Sequence, residues 1–165
     1  KDFSDIIEPN ENGHSFVENA MIKARYYYDF FKIATIADDS GLEVEALNNE
    51  PGIYSARYAS NDDKNSTDQE NRNKLLYKMK NVEKRNAHFC CAIAYYDGRL
   101  MKYSVANTFG KILGKEIGNN GFGYDSVFFS DDLGKPLGLA SDEEKDLISH
   151  RGKALRQLLN DMKKD

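Results

Sequence analysis

The chain has 165 residues, of which 40% are hydrophobic and 30% are charged. This composition is typical of one globular domain with its own core, and it excludes a disordered chain. The net charge of −4 predicts no general attraction to nucleic acid. No apolar run approaches the roughly 20 residues that a membrane-spanning helix needs, so we expect a cytoplasmic protein without membrane contact.

The only two cysteines, Cys90 and Cys91, are neighbours in an apolar run. In a strand their side chains would point to opposite faces, which places them poorly for a disulfide or a metal site. We expect two small core residues in a protein of the reducing cytoplasm.

The first part of the chain predicts a helix followed by two strands. Apolar residues at three- and four-residue spacing predict a helix over Ser15–Lys32, where Ser15 and Glu18 fit a capping box. The apolar run Ile33–Ala37 predicts a short buried strand, and the alternation over Leu42–Leu47 predicts a half-exposed one.

The middle of the chain predicts a turn, a loop and a second helix. Pro51–Tyr58 is typical of a turn that leads into an irregular segment, and the polar stretch Asn61–Ser66 predicts a loop. Thr67–Lys80 predicts a helix, with Thr67 and Glu70 in the pattern of a capping box.

The remaining elements begin with a hairpin, because Asp97-Gly98 separates two strand-like runs, His88–Tyr96 and Leu100–Val105. After it come a glycine-rich loop, a short strand, a short helix and a last helix: Gly118–Gly123, Ser126–Phe129, the segment that begins at Ser141, and Gly152–Lys163. Helices and strands mix, so we expect an α/β or α+β fold around a central mixed sheet with flanking helices.

The acidic pair Asp38-Asp39, followed by Ser40-Gly41, falls where the first predicted strand ends. Mg²⁺ typically takes one or two protein carboxylates and fills its remaining positions with water and substrate phosphates. A turn or a helix cap uses such residues equally well. The pair alone leaves a metal site and a turn open.

Two later segments, Gly121–Asp125 and Ser149–Lys153, supply an aromatic group and cations. Their glycines permit the positive φ and close backbone approach that a bound ligand needs, although the spacing is not that of a dinucleotide-binding fingerprint. Carboxylates, a flat aromatic ring and basic groups together suggest a nucleotide whose phosphates are handled with a metal.

Five segments in this order resemble the inosine triphosphate pyrophosphatase family over nearly the whole chain. They are Ser15–Ala20 with Lys23-Ala24, Ala37–Val44, Pro51–Tyr58, Gly121–Asp125, and Glu143–Lys145 with Ile148–Leu155. The resemblance implies an elongated, two-lobed α/β fold and a homodimer. It also implies Mg²⁺-dependent hydrolysis of ITP, dITP and XTP to the monophosphate and pyrophosphate.

The resemblance also implies roles for single residues. Asp39 would be a metal ligand and the proton acceptor, with Asp38 as a supporting carboxylate. Glu18 would be a second metal ligand, although a helix cap explains it as well. The residues expected to bind the nucleotide are Ser40, Phe122, Gly123, Tyr124, Asp125, Lys145, His150 and Arg151, with Phe122 stacked on the purine. Weaker cationic candidates are Lys23, Arg57 and Lys153.

Three departures from the family pattern stand out. The chain opens beyond the strand and the Ser/Thr-x-Asn-x-x-Lys loop that holds the triphosphate, Asn107-Thr108 replace a Glu-Gly pair, and Leu137–Ala140 replace a stretch that carries Ala-Glu. We therefore expect residues 1–165 to form one N-terminally truncated pyrophosphatase domain with weak or no turnover. Two alternatives stay open: a septum-inhibitor-like nucleotide pyrophosphatase and a non-catalytic nucleotide-binding fragment.

Overall fold

The computed structural model describes residues 8–62 and 64–164, which form a six-stranded sheet with helices on both faces. The strands are Thr35–Val44 (β1), Glu50–Pro51 (β2), Asn86–Tyr96 (β3), Met101–Ile112 (β4), Phe128–Ser130 (β5) and Lys135–Pro136 (β6). The helices are Phe16–Phe31 (α1), Asp68–Lys78 (α2), Asp142–Ile148 (α3) and His150–Met162 (α4). No helix in the described ranges is long and apolar enough to cross a membrane.

The sheet order is β2-β1-β3-β4-β5-β6, and each of these neighbouring pairs is antiparallel. The α/β class with a central sheet and flanking helices is confirmed. The described strands pair only in the antiparallel sense, whereas a mixed sheet had been expected.

A single strand, β1, runs through the acidic pair, where two separate strands had been predicted. Asp38 pairs with Ile93 and Asp39 with Ala92 along β3. This continuous ladder keeps the backbone extended although the Asp-Asp-Ser-Gly sequence favours turns. The pair therefore lies within the strand, and its two side chains point to opposite faces of the sheet.

The predicted helix starts agree with the structure in part. Thr67 and Glu70 form a complete capping box at α2. At α1, the Ser15 hydroxyl accepts a hydrogen bond from the Glu18 amide at 3.2 Å. The Glu18 carboxylate, however, accepts from the amide of His14 at 2.7 Å and not from that of the cap residue.

The last helix begins two residues earlier than predicted. The hydroxyl of its N-cap, Ser149, accepts a hydrogen bond from the Gly152 amide at 3.0 Å. His150 and Arg151 therefore belong to the first turn of α4, which fixes their backbone. The predicted loop Asn61–Ser66 includes residue 63, which lies outside the described residues; the others there form no helix or strand.

Three buried clusters make up the core. In the first cluster, α2 and residues 124–140 pack against one end of the sheet, around Leu42, Phe89 and Phe128. The other two lie on opposite faces of the sheet, under α1 and under α4. Cys90 belongs to the first of these two and Cys91 to the second, and both thiols are free, as predicted.

Candidate functional site

A cleft of about 780 Å³ opens where the glycine-rich loop, α3 and the start of α4 meet the sheet. Its volume lies in the range of sites that hold a small organic ligand. A smaller cavity of about 230 Å³ adjoins it near Ser40 and Gly41. The residues that line both are Phe89, Phe122, Asp125, His150 and Arg151.

Phe122 stands at the mouth of this cleft with 74% of its surface exposed. An exposed aromatic ring at a cavity mouth offers a flat surface for a base. The preceding Gly121 has φ +83°, and a Cβ there would collide with the Asp125 carboxylate and the Lys145 ammonium. Glycine at this position therefore lets the loop fold over that ion pair.

Asp125 and Lys145 face each other inside the cleft, with Oδ2 and Nζ 3.5 Å apart. Burial raises the pKa of Asp125, although the Phe122 amide and Lys145 oppose the change. Lys145 lies equally far from the exposed Asp142. This loose pair offers a ligand both a donor and an acceptor.

His150 lies deeper in the cleft, with its ring stacked on Phe89 at a centroid distance of 5.3 Å. Burial, with the positive charge of Arg151 beside it, lowers the pKa of His150 to about 4. The imidazole is therefore neutral at pH 7 and can donate one hydrogen bond and accept another.

This low pKa predicts a specific loss of stability in acid. The unfolded chain binds a proton on this histidine near pH 6.5, whereas the folded protein resists until about pH 4, so protonation favours unfolding between these values. When the pH falls from 7 to 5, the free energy of unfolding of the parent should decrease by about 2 kcal/mol more than that of His150→Gln. Urea unfolding at both pH values measures this, with His14→Gln, which removes an exposed histidine, as the control. Equal losses in His150→Gln and the parent would contradict the assignment.

Arg151 is held by the first residue of the acidic pair. Its Nε donates to Asp38 Oδ2 at 2.9 Å, and the Ser40 hydroxyl donates to the same oxygen at 3.1 Å. Asp38 therefore lies on the cleft side of β1, where its carboxylate orients the Arg151 guanidinium.

Asp39 lies on the opposite face of β1, toward α1. Its carboxylate accepts from the Lys23 ammonium at 2.9 Å and from the Asn19 amide at 3.2 Å. Burial raises the pKa of Asp39 despite the opposing charge of Lys23. The charges of Asp39 and Glu11 in turn outweigh burial and raise the pKa of Lys23, which keeps the ammonium charged.

A second carboxylate that the sequence analysis missed meets the same ammonium. Glu11 Oε1 lies 3.3 Å from Lys23 Nζ, so two carboxylates converge on one cation. Glu18 is instead exposed and turned to the amide of His14. The sequence signal for Glu11 is its position two residues before Gly13. The amide of Gly13 donates to the Asn19 side chain in α1, which holds this segment against the helix.

Four other predicted site residues do not line the larger cleft, although Tyr124 and Gly123 line the smaller cavity. Tyr124 is only 5% exposed, and its hydroxyl donates to the Ser55 carbonyl at 2.8 Å, so it anchors the loop. Lys153 pairs with Asp132 at 2.8 Å. Arg57 lies over the Tyr54 ring at 5.1 Å. Gly123 lines the smaller cavity, and its backbone is bonded to α2.

Known proteins share this fold and sequence. Residues 1–161 match the model of the Ham1 family. A dITP/XTP pyrophosphatase of Caldanaerobacter subterraneus is 48% identical over 151 residues, which cover 90% of this chain and 74% of that protein. A dITP/XTP pyrophosphatase of Aquifex aeolicus is 41% identical, with 95% and 81% covered. The Staphylococcus aureus Ham1 protein structure superposes with a TM-score of 0.88 at 40% identity, covering 95% of this chain and 81% of that one. The chain belongs to the Ham1 family.

Proposed function

We propose that this protein hydrolyses non-standard purine nucleoside triphosphates, namely ITP, dITP and XTP, to the monophosphate and pyrophosphate. The observation that carries the proposal is the cleft in which the exposed Phe122 ring meets Lys145, neutral His150 and Arg151. The family membership and the names of the relatives support the same reaction, a hydrolysis of acid anhydrides.

The base and the triphosphate occupy different sides of β1 in this proposal. The cleft lies on the face of Ser40, whereas Asp39 faces α1. Within the described residues, no strand pairs with the outer edge of β1 before Glu43. The segment Gly52–Arg57 covers part of that edge instead, because the Leu42 amide donates to the Ser55 hydroxyl at 2.9 Å and a Cβ at Gly41 would collide with that hydroxyl and the Gly52 carbonyl.

Asp39 is the proton acceptor in the mechanism that we propose. A water molecule attacks the α-phosphorus, the carboxylate takes its proton, and the bond to the bridging oxygen breaks so that pyrophosphate leaves. A raised pKa makes this carboxylate a better base than an exposed aspartate. Asn19 and Lys23 fix the orientation of both of its oxygens.

The carboxylates around Lys23 fit a magnesium site. No cluster of three or more metal-binding side chains occurs in the described ranges, but Mg²⁺ needs only one or two carboxylates beside water and phosphate oxygens. Asp39 and Glu11 already converge on one cation, so we propose them as the ligands. When bound, the metal would neutralise charge that develops on the phosphates.

The function is tested with the protein expressed from its complete reading frame. We expect equal amounts of monophosphate and pyrophosphate from ITP, dITP and XTP, and a much lower kcat/KM for ATP. Release of orthophosphate in place of pyrophosphate, or equal use of ATP, would reject the proposal.

The two candidate metal carboxylates can be told apart by substitution. We expect Glu11→Gln to raise the Mg²⁺ concentration for half-maximal activity by about 10-fold or more, the scale at which lost support weakens metal sites. Glu18→Gln should leave it unchanged, because that side chain bonds the amide of His14. Titration calorimetry with Mg²⁺ and IMP gives a second readout. The reverse pattern would restore the sequence-based assignment of Glu18.

Neither alternative reading is favoured. The relatives carry the name of deaminated-purine pyrophosphatases, and they match over most of this chain. The placement of Phe122, His150 and Arg151 in one cleft argues against a septum-inhibitor-like enzyme. Binding of IMP without any turnover of ITP is the result that would favour a non-catalytic nucleotide-binding protein.

We also propose a homodimer that buries the outer face of β4. Tyr103, Val105 and Phe109 alternate along this strand and are exposed on one face, while Ser104 and Thr108 on the other face bond to the helical segment at Ala154 and Ile148. A row of exposed apolar side chains on a sheet face is typical of an interaction surface.

Charge on this face should separate the two copies. We expect Phe109→Asp to halve the mass measured by light scattering, because a buried carboxylate without a partner opposes association. Tyr77→Asp, at an exposed position of α2, is the matched control and should keep the dimer. A parent protein that is monomeric at micromolar concentration would contradict the proposal.

A further inference from the structure

The glycine-rich loop is fastened by the first turns of α2, where Asp68 also lines the smaller cavity. The Asp68 carboxylate accepts a hydrogen bond from the Gly123 amide at 2.6 Å. The Arg72 guanidinium donates to the Gly123 carbonyl at 2.7 Å. Asp68 and Arg72 are four residues apart and therefore lie on one face of the helix. Two side chains of opposite charge thus hold both polar backbone groups of one glycine.

The guanidinium of Arg72 is itself fixed by two further hydrogen bonds. Its Nε donates to Glu116 Oε2 at 3.0 Å and its Nη2 to Gln69 Oε1 at 3.0 Å. Gln69 in turn donates to Glu116 at 2.7 Å. The Arg72 side chain is only 15% exposed, so these hydrogen bonds are partly shielded from water. Hydrogen bonds with a charged partner are the stronger kind, which makes this a firm attachment.

The attachment lies next to Phe122, the exposed aromatic residue of the loop. Phe122 is largely exposed, and both hydrogen bonds described for it are local: its amide donates to the Asp125 carboxylate at 3.3 Å, and its carbonyl accepts from the Asp125 amide at 3.1 Å. The orientation of its ring therefore depends on the backbone on either side. Gly123 follows directly and adopts a left-handed φ of +58°. A loop held in its binding conformation loses less freedom when a ligand arrives.

We propose that Asp68 and Arg72 are positioning residues that hold the Phe122 ring over the cleft. This proposal rests on the proposed function, in which Phe122 contacts the base. Neither residue reaches Asp39 through any described contact, so both act on nucleotide binding and leave proton transfer unchanged. Because they act through the loop and not on the edge of the base, they affect all purine nucleotides alike.

The fastening is tested first without any nucleotide. The chain contains no tryptophan, so Phe122→Trp introduces a fluorescent reporter at the loop tip. In this background, Asp68→Ala and Arg72→Gln should each lower the fluorescence anisotropy of the reporter. Asp68→Asn keeps an oxygen that accepts from the Gly123 amide and should restore most of the signal. Lys80→Gln removes a cation just beyond α2 and should change nothing.

Kinetics in the protein with native Phe122 tests the effect on function. We expect Asp68→Ala and Arg72→Gln to raise KM for ITP by roughly 10-fold while kcat stays within about twofold, the pattern of lost ground-state binding. Lys80→Gln, which changes the net charge as Arg72→Gln does, should leave both constants unchanged.

Four results decide the outcome. Unchanged anisotropy in both Asp68→Ala and Arg72→Gln would overturn the proposal, as would a loss of kcat at constant KM. A lower anisotropy together with the expected rise in KM would support it. If both variants lower the anisotropy but the parent protein hydrolyses no ITP, the proposed function is rejected. The lower anisotropy would still demonstrate that α2 fastens the loop.

Discussion

Replacing Asp39 with asparagine should lower kcat for ITP hydrolysis by roughly 100-fold or more, the scale of lost general-base catalysis. Asparagine keeps the shape of the side chain but has neither its charge nor its basicity. Its oxygen can still accept a hydrogen bond from Lys23, so the geometry on this face of β1 is retained. The measurement is pyrophosphate release at saturating ITP by the protein expressed from its complete reading frame.

The fold should tolerate this substitution. The Asp39 side chain is only 12% exposed, and burial raises its pKa, so the ionised form costs folding energy. Asparagine removes that cost, and Glu11 still pairs with the Lys23 ammonium, so we expect the protein to remain folded. Since the base must be ionised, the rate of the parent protein should fall as the pH drops through the raised pKa.

The neighbouring carboxylate supplies the matched control. Asp38→Asn makes the same chemical change on the opposite face of the same strand, where the carboxylate orients Arg151. We expect a higher KM with kcat within about threefold of the parent value. Loss of kcat in Asp38→Asn with a normal rate in Asp39→Asn would move the base to the cleft side of β1.

Features that depend on neighbours in the chain were predicted well. The capping box at α2 joins residues three apart, Thr67 and Glu70. The hairpin turn forms because Asp97 Oδ1 accepts from the amides of Arg99 at 2.9 Å and Leu100 at 2.7 Å. These contacts close within one turn of chain, so a short stretch of sequence contains all of the partners.

Features that depend on distant partners were not predicted. The Asp-Asp-Ser-Gly stretch has the local chemistry of a turn, and only its ladder with β3, more than fifty residues away, keeps it extended. The contacts of Gly123 with Asp68 and Arg72 span 55 and 51 residues. Periodicity and capping patterns contain no information on such pairs.

The two aromatic residues of the loop show the same limit at the level of a single site. Phe122 and Tyr124 were expected to face the nucleotide together. The structure exposes the first and buries the second in the core, with its hydroxyl on the Ser55 carbonyl. Their order in the sequence does not distinguish them, because the carbonyl that holds the Tyr124 hydroxyl lies 69 residues away in the chain.

Phe122 and Arg151 should contribute differently to substrate recognition, the first to affinity for any purine and the second to the selection of ITP over ATP. A ring that stacks on a base does not sense its edge, so Phe122→Ala should weaken ITP and ATP alike, by about 1–3 kcal/mol if stacking in nucleic-acid complexes is a guide. The described contact of Arg151 uses only Nε, which leaves its terminal nitrogens able to donate to a 6-keto oxygen.

Adenine carries an amino group where hypoxanthine carries that oxygen, so ATP would leave such donors unpaired. A site built around donors to a keto group can reject the analogue without it by several powers of ten. We therefore expect Arg151→Ala to narrow the ITP-to-ATP ratio of kcat/KM, whereas Phe122→Ala lowers both values and preserves the ratio. Lys153→Ala removes another cation of α4, one that pairs with Asp132, and should leave the ratio unchanged. If Phe122→Ala abolished selectivity while Arg151→Ala kept it, the ring and not the guanidinium would be the group that distinguishes the bases.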